Sequence, residues 1–247
     1  MSSRGYYFLP IWMLITVSFC LDLSAQGPSK EDITISHQQW DNLLDQYVDG
    51  QGNVNYRAFN KDTETLEGYL EYLGSFEPTD EWPRSELLAF YINLYNAATV
   101  RLILEHYPIA SIREIKQPWV RKWIPVGKKT RSLNQIEHKI LRNMSEPRIH
   151  FAISCASASC PKLSNTAFDA ENLEAQLEKV TWEFINDPGK NEIDSGRITL
   201  SALFKWYKND FTQDRSITDY IGQYSKQSIL TNAKVQYLKY DWSLNEQ

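Results

Sequence analysis

Cys155 and Cys160 are the residues of this chain best suited to covalent chemistry. They sit in the run Ile153-Ser154-Cys155-Ala156-Ser157-Ala158-Ser159-Cys160-Pro161, where an apolar segment empties into a loop of small side chains. Small neighbours leave room around a sulfur, and Pro161 fixes the exit of the loop. A thiol reacts as its thiolate, so it needs a base, a positive charge or backbone donors nearby. The backbone N–H groups of Ala156 to Ser159 are expected to form an anion-binding concavity beside Cys155, with Cys160 the weaker nucleophile. Against this stand two plainer readings: a structural disulfide, or two inert small hydrophobes.

A thiol enzyme needs a proton acceptor. His150 to Cys155 reads as a short strand. An extended run of that length spans about 16 Å, and odd spacing sends the two side chains to opposite faces. His150 is therefore expected not to reach Cys155 and is kept as a secondary candidate. His37 and His106 lie near predicted helix ends and read as surface or capping residues. His138 remains. It follows Glu137 at the margin of the apolar stripe Leu133, Ile136, Ile140 and Leu141. Glu137 falls on the buried side, where a carboxylate needs partners. It could orient the imidazole or pair with an arginine such as Arg148. Asn93 and Asn96, at i and i+3 on an apolar helix, could orient an imidazole or line an oxyanion site, or could satisfy loop backbone.

The elements that must position these groups follow from periodicity and punctuation. His37 to Val48 is expected to be a helix with Ser36 as its N-cap. Asp49-Gly50-Gln51-Gly52-Asn53 is a turn; it lacks the ligand ladder and closing Glu of a calcium loop. Lys61 to Leu73 predicts a second helix. Ser85 to His106 predicts a long helix that is apolar almost all round and so belongs in the interior. Trp123 to Thr130 reads as a hairpin, and Ser132-Leu133-Asn134-Gln135 as a capping box opening the helix Leu133 to Arg142. A helix over Leu173 to Asn186 stops at Asp187-Pro188-Gly189. Short strands are expected within Glu192 to Leu200 and over Lys234 to Tyr240. Helices and strands do not alternate as βαβ units, so the fold class is α+β: a single compact domain, residues 36–247, with a central buried helix and a small, mostly antiparallel sheet.

The chain has 247 residues, 42% of them apolar and 13% aromatic, enough for a packed core. A net charge of −5 disfavours nucleic acid as a partner. The basic cluster Arg121, Lys122, Lys128, Lys129 and Arg131 falls around the predicted turn and reads as a solvated hairpin tip. Arg4, the apolar stretch Tyr6 to Leu21 and Leu23-Ser24-Ala25 have the order of a signal peptide, with cleavage expected after Ala25 and a flexible leader over 26–35. Export to the periplasm or medium follows, with no transmembrane helix in the mature chain. Phe19 before Cys20 is bulky for a lipoprotein. Neither cofactor nor metal is expected: the two thiols fit no common zinc spacing, and phosphate-loop, dinucleotide and Gly-x-Ser-x-Gly fingerprints are missing.

Three ordered segments resemble the family catalogued as domain of unknown function 547, DUF547. They are Ala89 to Ala97, Leu133 to Arg142, and Arg148 through Cys155 to Pro161; Tyr47-Val48-Asp49 and Tyr240 to Asn245 are similar as well. The resemblance implies a widespread domain, often exported in bacteria, and carries over no catalytic residues.

These readings together favour a thiol-dependent hydrolase or acyl transferase, loosely papain/transglutaminase-like, acting on extracytoplasmic protein or peptide. Cys155 is the expected nucleophile and His138 the base, oriented by Glu137 or Asn96. Papain's order, Cys before His, is not kept. The alternative is a non-catalytic envelope binding module, with a Cys155–Cys160 disulfide stiffening a loop and exposed Trp119 and Trp123 making contacts. A cycling dithiol is the third reading, although the spacing is not Cys-x-x-Cys.

Overall fold

The long apolar helix forms as its pattern requires. It runs Arg84–His106, and all but a few of its residues are buried. The computed structural model describes residues 1–2 and 34–247. The expected signal peptide, its cleavage site, Cys20 and most of the leader lie outside the described residues.

Thr63–Gly74 packs along the long helix, Gln38–Tyr47 packs on Thr63–Gly74, and Leu173–Ile185 packs on the turn Ile149–Ala152. Gln38–Tyr47 is capped at His37 without a side-chain bond, so Ser36 is not its cap. His37 is buried rather than superficial. Its Nδ1 lies 2.7 Å from the Tyr69 hydroxyl, and burial pushes its pKa down to about 4. The Asp49 turn is a plain one: its carboxylate accepts from the backbone of Gln51 and Asn53. Gly52 in that turn has φ +80°, and a Cβ there would stand 2.6 Å from Lys162 Cβ just past the thiol loop, so only glycine fits.

The mixed α+β class holds, with two small sheets rather than one. Ile124–Val126 and Lys129–Arg131 form the antiparallel hairpin. In a separate three-stranded sheet, Arg197–Leu200 lies between antiparallel Glu192–Asp194 and parallel Lys234–Tyr237. Burial divides into two cores. The larger surrounds Arg84–His106; the smaller gathers Phe151, Phe184, Leu200, Phe204, Phe211 and Ile221. Among the described residues, the helix long and apolar enough to cross a membrane is Arg84–His106, and it is packed inside the protein.

The predicted strand from His150 to Cys155 is a correction. Residues Ile149–Ala152 make one helical turn, and the chain becomes extended only at Ile153. The turn sends Phe151 into the smaller core, where it stacks on Phe211 at 5.6 Å. The opposite-face argument against His150 therefore lapses.

Candidate functional site

The thiol loop is held by its backbone. Asn96 donates to the Ala152 carbonyl and accepts from the Ser154 N–H, both at 2.9 Å, clamping the chain on either side of Ile153. Asn93 likewise donates to the Phe168 carbonyl at 2.7 Å and accepts from the Phe168 N–H at 3.0 Å. Both amides therefore satisfy loop backbone, and neither orients an imidazole. The C-terminal segment zips along the loop: Ala158 N–H donates to the Ser243 carbonyl at 2.7 Å and Ser159 N–H to the Asp241 carbonyl at 3.1 Å. Ala156 N–H is directed at Ser154 Oγ, 3.4 Å away. Three of the four amides expected to cradle an anion are thus engaged. Ala156 carries φ +59°, a left-handed conformation that costs a non-glycine residue about 1–2 kcal/mol.

This loop brings the two thiols together. Both are free, and their sulfurs lie 2.8 Å apart. The Cys155 N–H donates to Cys160 Sγ at 2.8 Å. Cys155 is half-buried; its sulfur also meets the hydroxyls of Ser157 at 3.1 Å and Tyr240 at 3.2 Å. The pair titrates as a unit. Hydrogen bonding to Cys160, with burial, pushes the Cys155 thiol well up. Burial also pushes Cys160 up, but donation from the Cys155 thiol and N–H, with Tyr240 and Ser154, outweighs it and brings Cys160 down to about 7. Cys160 Sγ is placed to donate to Cys155 Sγ, and once the first proton is lost the remaining one lies between the two sulfurs.

A second group of side chains is set by helical segments. The Ser132 capping box forms as expected, but after Gln135 the chain loosens into a π-helical stretch, Ile136–Leu141. Such irregularities are frequent at functional sites. Glu137 is buried and accepts from the hydroxyls of Tyr95, at 3.2 Å, and Tyr207. It does not pair with Arg148, which is bound to Glu146 and Glu174. His138 Nε2 stands 3.7 Å from Glu137, while its Nδ1 is 2.9 Å from Arg142 Nη1. A guanidinium only donates, so the Nδ1 lone pair is occupied. Arg142 in turn forks onto Asp210 at 2.6 and 2.8 Å.

Asp210 also holds His150, whose Nε2 lies 2.7 Å from Oδ2. Burial pushes the Asp210 carboxyl up, but donors on Arg142 and His150 outweigh it and keep it below the usual range. Burial lowers the His150 pKa, so its ring is neutral, with Nε2–H on Asp210 and Nδ1 left as acceptor. The ring stacks on Tyr207 at 3.9 Å.

Both groups open on one cavity of about 420 Å³, which Cys155, Cys160, Glu137, His138 and His150 line together. Its remaining wall is largely aromatic, including Trp119, Trp206, Tyr207, Tyr240 and Trp242. Among the described residues no hydrogen bond joins a sulfur to either imidazole. A smaller hollow of about 110 Å³ beside Lys162 holds neither thiol nor imidazole. Trp119 and Trp123 are half-buried rather than exposed, and the more open ring is Trp206.

Comparison with known proteins agrees with the motifs. Residues 79–185 match the family described as "Protein of unknown function, DUF547". The chain resembles the DUF547 family. No curated protein and no solved structure matches it. The matched segment carries both thiols, Glu137, His138, Arg142 and His150, whereas Tyr207, Asp210 and Tyr240 lie beyond it. Those three were missed from sequence. Tyr240 lies 85 residues from Cys155 and Asp210 lies 60 from His150, with no local signal linking them.

Proposed function

We propose that this protein is a thiol-dependent hydrolase or acyl transferase with Cys155 as nucleophile. The observation that carries the reading is the contact between two sulfurs on an open cavity that an Asp210-bound imidazole also lines. As Cys155 attacks an acyl carbon, its proton passes to Cys160; the carbon–sulfur bond forms and the carbonyl electron pair moves to oxygen. Collapse expels the leaving group, which takes the proton from Cys160. His150, through Nδ1, then accepts a proton from the second nucleophile and returns it to sulfur as the thioester is cleared. The hydroxyls of Ser157 and Tyr240 both lie beside the sulfur, 3.1 and 3.2 Å away. Extracytoplasmic protein or peptide is the proposed substrate class.

Incubation with p-nitrophenyl acetate, followed by intact mass and peptide mapping, tests this. One acetyl group on Cys155, lost in Cys155→Ala, is expected. No adduct on reduced protein would overturn the reading. The same sulfur contact favours a second one, a binding module stiffened by a disulfide, since closing to about 2.05 Å would link the thiols. Freshly purified protein lighter by two hydrogens and inert until reduced would support that instead.

A further inference from the structure

The cavity that holds the thiols has an unbalanced charge. Among its lining residues there is neither lysine nor arginine, and its carboxylate is Glu137, 6% exposed and held by two phenols. Among these lining residues an anionic group meets no counter-charge, and the nearby Arg142 is already bound to Asp210. A cation meets Glu137 and aromatic faces, which attract it through their quadrupoles. Rings of this same set already receive cations from outside: Arg142 lies 5.3 Å from the Tyr207 centroid and Arg113 lies 5.5 Å from that of Trp242. Trp206, Tyr240 and Trp242 form one aromatic cluster, with Tyr240 4.7 Å from Trp206 and 4.6 Å from Trp242, and Trp206 is 49% exposed.

We infer that the cavity admits an aliphatic primary ammonium group, such as the end of a lysine side chain, as the acceptor of the acyl group. The transfer step rests on the thiol reading above; the recognition of the cation does not. The bound ammonium gives one proton to solvent. The amine nitrogen attacks the thioester carbon, the carbon–nitrogen bond forms as the carbon–sulfur bond breaks, and the second proton passes through His150 to the released sulfur. The product is an amide.

Two measurements keep the claims apart. First, hexylammonium and hexanoate are titrated against tryptophan fluorescence of Cys155→Ala protein, which cannot acylate. Hexylammonium is expected to bind at least about tenfold more tightly, and Glu137→Gln or Trp206→Ala to weaken it by roughly three- to tenfold. Trp206 is on the surface, so its variant guards against misfolding. Second, n-hexylamine and hexanol are compared as acceptors for the acetylated enzyme, with amide mass as readout. Equal binding of cation and anion, or binding indifferent to both substitutions, overturns the inference even if the acetyl adduct forms. Selective ammonium binding without any adduct upholds the cation site and removes the thiol chemistry. An adduct cleared no faster by amine than by hexanol overturns the acceptor role.

Discussion

The thiol side and the imidazole side of the cavity are built by opposite means. The thiol loop is fixed through main chain: Asn96 clamps it, residues 241–245 zip along it, and its polar side chains satisfy one another. The imidazole side is fixed through side chains. One carboxylate, Asp210, anchors His150 directly and His138 through Arg142. The difference separates two tasks. On the loop a proton can leave one sulfur for the other. On the helical side a proton can be taken up, and the two histidines are unequal there. His150 keeps a lone pair at Nδ1, while the Nδ1 of His138 faces a guanidinium and so is spent.

Cys155→Ala should give the largest effect, complete loss of acyl trapping and of native-state alkylation, with the fold kept as judged by circular dichroism. An unchanged adduct would relocate the nucleophile. Next in size is Asp210→Asn. It leaves Arg142 and His150 short of their anion and should cost about 2–3 kcal/mol in urea unfolding. It should also slow clearance of the acyl group at least tenfold. The histidines are then directly comparable. His150→Ala should slow clearance about tenfold or more, His138→Ala less than about threefold; the reverse ranking would return the proton-acceptor role to His138. Smaller still is the contrast between the amides. Asn96→Ala and Asn93→Ala should each destabilise by about 2 kcal/mol, yet only Asn96→Ala should change Cys155 alkylation, by a few-fold. Equal effects on labelling would mean that the Asn96 clamp does not tune the sulfur.

Much of the scaffold was legible in the chain. The long helix, the hairpin, the capping box at Ser132 and the helix from Leu173 follow from apolar spacing and turn residues, and the structure realises each. The segment around His150 was not, because a short apolar run reads equally as strand or buried helical turn. Here Phe151 packing into the smaller core decides for the turn. The π-helical stretch was hidden too, since 3.6-residue periodicity assumes a regular helix; the capping box marked its start but not its change of winding. Cys155, Cys160, Glu137 and His138 could be singled out by residue type. Asp210, Tyr207 and Tyr240 could not, as each arrives through tertiary packing from a distant part of the chain.

The shared proton between the sulfurs is tested most directly by the pH dependence of iodoacetamide alkylation at Cys155, in the wild type and in Cys160→Ser. The serine can still accept the Cys155 N–H but cannot ionise in this range. With the first proton leaving near 7, the wild-type rate should fall below that pH and level off above it. In Cys160→Ser the midpoint should rise to the free-thiol value of about 8.5 or higher. Superimposable profiles, or two thiols that react alike and only after denaturation, would contradict the account.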